Sequence, residues 1–203
     1  MNRRLPVVAF ALAAIILAAI AGLWLLKPQQ APQGNLSGAE VGGPFTLVDE
    51  TGKTVTDRSF DGKWRLMYFG FAYCPDICPT DTAKMAEALR LFDKEHPGAS
   101  AKLAPLFVTV DPERDTPAVL AEFTNSFHPA IIGLTGTPQQ VGDMLKAYKI
   151  YAQKVPGATA GSYSYDHLAV FYLMDPQNRP VAFLAGQQAT PRELADLLAR
   201  YIP

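Results

Sequence analysis

Hydrophobic and polar positions follow three different patterns along this chain. From Val7 to Leu26, VVAFALAAIILAAIAGLWLL carries no charged or polar side chain. About 20 apolar residues in a row are enough to cross a bilayer as a helix. Arg3 and Arg4 precede the run, so the positive-inside rule leaves residues 1–6 in the cytoplasm and exports everything after Lys27. AIA at 19–21 offers a small-x-small cleavage site and so a rival reading as a signal peptide. The apolar run continues through 23–26 beyond that site, which favours a retained anchor over residues 7–26. KPQQAPQGNLSG, residues 27–38, is polar and rich in Pro, Gln and Gly, and a flexible tether is expected over 27–40. A single domain, residues 41–203, follows.

Within that domain the pattern switches repeatedly between short apolar runs and helical periodicity. PFTLVDETGKTVTDRSF alternates and turns at DETGK, which predicts a small hairpin. KWRLMYFGF and LAPLFVTV are unbroken apolar runs, as expected for strands buried on both faces. TDTAKMAEALRLFDKEH places Ala83, Ala86, Leu89 and Phe92 on one helical stripe and stops at HPG. TPAVLAEFTNSF and TPQQVGDMLKAYKI are further helices, with the short strand IIGLTG between them. LAVFYLMD and PVAFLAG flank the turn PQNR as an antiparallel pair. TPRELADLLARYI closes the chain as a helix capped by Thr190, with Pro191 at its first position. Alternating strands and helices predict an α/β fold, a central sheet with helices on both faces.

Charge and size narrow the class. The 203 residues carry a net charge of −1. Setting Arg3, Arg4 and Lys27 aside leaves 15 of the 18 basic residues against 19 acidic ones, so the exported domain is mildly acidic. No basic run or arginine-rich helix is present, which argues against nucleic-acid binding. A domain of this size buries a sufficient core without help from disulfides.

The only two cysteines, Cys74 and Cys78, sit in FAYCPDICPT, each followed by proline. The strand LMYFGF delivers Cys74 to its C-terminal end, where open α/β sheets commonly place their sites. Pro79 suits the first position of the next helix, which puts Cys78 beside the N-cap in a rigid loop. A helix N-terminus favours thiolate over thiol. Three uses compete for this pair. A structural disulfide would close too small a loop to stabilise much. A redox dithiol fits a low-pKa pair at a strand-to-helix junction. A metal site needs more ligands, and three histidines are available. His96 in KEHPG and His128 in SFHPA read as surface residues at helix C-termini. His167, where the polar stretch SYSYDH meets a buried strand, is either a third ligand or a satisfied histidine at a strand edge. Two thiolates and an imidazole would suit Cu(I) and would also accept Zn(II).

GFAYCPDICPT, VTVDPERDTP and YDHLAVFYLMDP, in that order, resemble the Sco/SenC family of copper chaperones. The likeness runs from about Pro44 to the C-terminus, and the anchor and tether fit it as well. The resemblance implies a thioredoxin-like fold in which Cys74, Cys78 and His167 bind a copper ion, as Cu(I), Cu(II) or both. It implies help in assembling the CuA centre in subunit II of cytochrome c oxidase. A copper donor and a thiol reductant are then needed as partners. Asp111 matches an acidic position close to the site and is expected beside the ligands rather than among them. Its plainer role is a strand-end aspartate that starts the turn PERDTP.

Four functions follow from these residues. The first is a metallochaperone anchored in a bacterial inner membrane, with its domain in the periplasm and its thiol state gating copper. A thiol–disulfide reductase acting on a copper-site client is the alternative, distinguished by its indifference to His167. A peroxiredoxin-like peroxidase fails because Phe71 stands where its threonine would be. A redox or copper sensor makes no separate prediction.

Overall fold

The computed structural model describes residues 12, 13, 15–17, 33–157, 159 and 161–203. The chain divides into two compact units, Met1–Gln30 and Ala31–Pro203. In the first, residues 12, 13 and 15–17 are helical, and Leu12, Ile15, Ile16 and Leu17 are all exposed. The rest of the expected membrane span over 7–26 lies outside the described residues, among which no helix is long and apolar enough to cross a membrane.

The second unit is built on an eight-stranded mixed sheet. Its strands are β1 (Gln33–Asn35), β2 (Thr46–Asp49), β3 (Thr54–Thr56), β4 (Trp64–Gly70), β5 (Leu103–Thr109), β6 (Ile132–Thr135), β9 (Val170–Met174) and β10 (Pro180–Ala185). They lie in the order β1-β10-β9-β4-β5-β6-β2-β3. The β4–β5 and β5–β6 pairs are parallel, and the other pairs are antiparallel. The expected hairpin at DETGK is β2–β3, and the expected closing pair is β9–β10. The remaining strands, β7 (Ala152–Pro156) and β8 (Tyr163–His167), form a separate two-stranded hairpin.

Helices α1 (Ile77–Glu95), α2 (Pro117–Phe127), α3 (Pro138–Ala147) and α4 (Pro191–Tyr201) complete the unit. Three of them begin as their sequences dictate: Thr116, Thr137 and Thr190 cap the chain just before a proline at the first helical position. Neighbouring side chains on a strand point to opposite faces. Tyr68 of β4 bonds Asp81 of α1, while Phe69 packs on Tyr148 just past α3. Helices therefore cover both faces, and β4 and β5 are buried almost throughout. This is the α/β architecture the sequence pattern predicted and the thioredoxin-like fold the family resemblance implied.

Three local expectations need correction. The tether drawn over 27–40 gives way by Gln33 to β1, because the backbone of 33–35 finds partners along the free edge of β10 and Leu36 packs against the core. Helix α1 starts at Ile77, not Pro79. Pro79 is tolerated inside the first turn, since the first four helical N–H groups have no intrahelical acceptor. Of the stripe expected on α1, Ala86, Leu89 and Phe92 are buried, whereas Ala83 is exposed and Cys78, Thr82 and Met85 carry the buried face to the start of the helix.

Candidate metal centre

The site forms where β4 ends. Beyond Gly70 the chain turns tightly, with the Cys74 amide donating to the Phe71 carbonyl at 3.2 Å. The Ala72 amide donates to Asp115 Oδ2 at 3.0 Å, which ties this turn to the loop after β5. Helix α1 then begins, and its N-cap Asp76 makes no side-chain capping bond. A sulfur stands in: the Cys78 amide donates to Cys74 Sγ at 3.4 Å. Cys78, in the first turn of α1, is fully buried against β4. A Cβ at position 70 would lie 3.1 Å from Cys78 Sγ and 2.9 Å from the Tyr68 ring, so only glycine lets the sulfur settle there.

His167 arrives from the other direction, as the last residue of β8, paired across the hairpin with Ala152. Its Nε2 lies 3.3 Å from Cys78 Sγ. Its Nδ1 is buried with no hydrogen-bond partner. The ring meets Phe71 edge-on, with centroids 5.9 Å apart.

The two thiols are free and electrically unlike. Hydrogen bonding from Cys78 holds the Cys74 thiol well below its ordinary pKa, with further help from His167 and the amides of Asp76 and Cys78. Cys78 is pushed up by its bond to the Cys74 sulfur and by burial. One proton is thus shared unevenly, with the thiolate on half-exposed Cys74 and the thiol on buried Cys78. Behind Cys78, the Tyr68 hydroxyl donates to Asp81 Oδ2 at 3.1 Å, and Lys84 holds the other oxygen at 2.9 Å.

Asp111 is fully buried. Its carboxylate accepts from Arg114 Nε and, at 3.1 Å, from the Tyr163 hydroxyl. Its carbonyl also accepts the amides of Arg114 and Asp115, so it starts the turn as well. No contact with the sulfurs or the imidazole is among its bonds. Sequence reasoning missed Asp115, whose Oδ2 accepts from Ala72 and Thr109 while Oδ1 has no partner. It also missed Arg114, which lies over the Tyr73 and Tyr163 rings. Both residues stand in the quoted block DPERDTP, and only Asp111 was picked out of it. His96 and His128 sit at helix ends, as C-caps of α1 and α2.

Among the described residues, no three His, Cys, Asp or Glu side chains stand in finished metal-binding geometry. The donor set nonetheless has the chemistry of a soft-metal site: a thiolate, a thiol in contact with an imidazole, and one ring nitrogen without a partner. Bonds of the length zinc makes to sulfur and nitrogen would set Sγ and Nε2 about 3.6 Å apart in a tetrahedral centre. The observed 3.3 Å is a few tenths of an ångström short of that.

Fold and site together define a thioredoxin-like domain carrying a dithiol–imidazole centre in place of a plain dithiol. Residues 33–203 match the SCO1/SenC family, and the chain belongs to that family. Protein SenC of Rhodobacter capsulatus is 44% identical over 166 residues, covering 81% of this chain and 72% of that protein. The mitochondrial SCO1 homolog 1 of Arabidopsis thaliana is 41% identical over 145 residues, 71% of this chain but only 42% of its own length. Among solved structures, Bradyrhizobium japonicum ScoI with copper bound superposes with a TM-score of 0.71 at 43% identity, covering 79% of this chain and 99% of that one. BsSco, described as having a disulfide switch and as a member of the Sco family of cytochrome c oxidase assembly proteins, gives 0.62 at 25% identity over 82% of this chain and 93% of that one.

Proposed function

We propose that this chain is a membrane-tethered copper metallochaperone. It binds one copper ion through Cys74, Cys78 and His167 and assists assembly of the CuA centre in subunit II of cytochrome c oxidase. The observation that carries the reading is the 3.3 Å approach of His167 Nε2 to Cys78 Sγ, which sets an imidazole against the dithiol. Copper in the Bradyrhizobium structure and the oxidase-assembly role given for BsSco support it. Asp111 acts from behind, through Arg114 and Tyr163.

The chain's residues prepare the site for a cation. Cys74 is held as thiolate chiefly by the hydrogen bond from Cys78, with His167 and the helix-terminal amides helping; Cys78 gives up its proton when metal arrives, and a His167 ring nitrogen contributes a lone pair. Oxidation to a Cys74–Cys78 disulfide removes both sulfur ligands, so the thiol state gates loading, and a reductant must keep the pair open outside the cytoplasm. Residues 7–26 anchor the domain, with the N-terminus cytoplasmic and residues 41–203 in the periplasm of a bacterium. The exposed apolar Leu12, Ile15, Ile16 and Leu17 support the anchor.

The test is a copper titration of the reduced full chain beside Cys74→Ala, Cys78→Ala and His167→Ala. One copper per chain is expected, with each substitution weakening binding by more than the about 10–100-fold typical of changes outside the ligands. Binding indifferent to His167, or retained by the oxidised chain, would sink the proposal. The unequal thiols favour a second reading, a thiol–disulfide reductase that attacks through Cys74 without delivering metal. In that case His167→Ala keeps most of its reductase activity.

A further inference from the structure

His167 owes its place to a hairpin that pairs only with itself. An isolated two-stranded hairpin is marginal in water, so what fastens β7–β8 to the domain decides where the imidazole sits. Side chains on β8 alternate, and Tyr163, Tyr165 and His167 share one face, with exposed Asp166 on the other. Tyr165 packs on Phe71 with centroids 5.8 Å apart, and His167 meets the same ring. Tyr163, at the far end of the strand, has no contact with either sulfur among its bonds.

Tyr163 is gripped on several sides. Arg114 Cζ lies 3.8 Å from its ring centroid, and Lys154 Nζ lies 3.7 Å from it. Arg114 Nη1 donates to the Tyr163 carbonyl at 3.1 Å. The hydroxyl donates to buried Asp111 Oδ1 at 3.1 Å. Lys154 is itself held by Glu113 at 2.6 Å. Asp111, Glu113 and Arg114 all belong to the turn after β5. This clamp ties the hairpin to the turn after β5.

We propose that Tyr163 is the positioning residue for His167. The ring, caught by two cations, fixes β8 along its length, and Tyr165 against Phe71 passes that placement on to the imidazole some 13 Å away, four residues at about 3.3 Å each. The placement stands whether or not the site carries copper; its consequence for metal affinity rests on the metallochaperone reading. Tyr163→Phe keeps the ring between the cations and loses only the hydroxyl's bonds, to Asp111 at 3.1 Å and to Glu113 at 3.4 Å. Tyr163→Leu loses both.

The test uses reduced, metal-free full chain labelled with 13C-histidine, in which the contact between the His167 ring and the Cys78 side chain is read by NMR. That contact is expected to persist in Tyr163→Phe and to vanish in Tyr163→Leu. Copper titration of the same proteins should give a Kd within about threefold of wild type for Phe and at least about tenfold weaker for Leu, with a shifted sulfur-to-copper charge-transfer band. Lys154→Met, an exposed change that removes one cation, serves if the Leu variant fails to fold, and should weaken the contact. A contact unchanged in the Leu and Met variants, or a Phe variant as impaired as Leu, overturns the assignment. A wild type that binds no copper, yet loses the ring contact in Tyr163→Leu, upholds the positioning role and sinks the metallochaperone reading instead.

Discussion

The sheet with its helices and the β7–β8 hairpin face each other across the Cys78–His167 contact, and they are opposite kinds of structure. The sheet side is dry: β4 is buried from Arg65 to Gly70, and Cys78, in the first turn of α1, is sealed against the end of that strand. The hairpin side is wet, and no residue of β7 or β8 is fully buried. It is fastened by cations, tyrosines and a carboxylate, with Tyr165 on Phe71 as its packing contact. The cysteines and the histidine therefore answer to different forces. The cysteines are placed by core burial, which is insensitive to salt and cooperative with the whole fold. The histidine is placed by an electrostatic clamp at the surface, which can yield while the fold stays intact.

The widest separation between the two regions should come from a cut in the core. Phe107 of β5 is fully buried between Tyr68 and Phe123. Phe107→Ala should cost about 3–5 kcal/mol of stability, read by urea unfolding. Below its lowered Tm the His167–Cys78 contact should survive; selective loss of that contact would show that the regions are not separable.

A smaller effect tests the residue that ties the cysteine turn to the loop after β5. Burial pushes the Asp115 carboxyl up to about 6. The unfolded chain releases this proton near pH 4, so between those values the folded chain holds a proton that the unfolded chain lacks. Stability therefore falls as pH rises from about 4 to about 6, by roughly 3 kcal/mol in all. Asp115→Asn should remove that slope and be the more stable protein at pH 7. Equal pH slopes in denaturant titrations of the two proteins would refute the assignment.

The smallest effect lies away from both regions. Thr190 and Glu193 form the capping box of α4. Thr190→Ala should cost about 1 kcal/mol, with the copper affinity and the His167 ring signals unchanged. A disturbed site would mean that the sheet side transmits strain farther than its packing implies.

Most of the sheet was legible because continuous apolar runs such as LMYFGF have few alternatives to a buried strand, and Thr-Pro pairs mark three helix starts. The cysteines were legible for the same reason: a strand end and a proline-marked junction enclose them. Helix α1 was misplaced by two residues because Pro79 reads as a first position, while the Cys74 sulfur supplies the acceptor that lets the helix begin at Ile77. Arg65 was invisible in a run taken as wholly apolar. It is fully buried, with its guanidinium donating to the carbonyls of Asp57 and Asp175. The hairpin was missed because SYSYDH looks polar, although Tyr163, Tyr165 and His167 do recur with the period of a strand. Asp111 was found by its motif, and its partner Arg114 lies in the same motif, but its other partner, Tyr163, comes from a strand 52 residues away, and local spacing does not reveal such a pairing.

Cys74 Sγ does for α1 what a serine oxygen does at other helix starts. Whatever draws electron density from that sulfur, whether an oxidant, an alkylating reagent or a metal, also weakens the bond from the Cys78 amide. The first turn of the helix is in this sense a gauge wired to the thiol. The exchange of a single backbone hydrogen with solvent should read the chemical state of Cys74 without any label on the side chain.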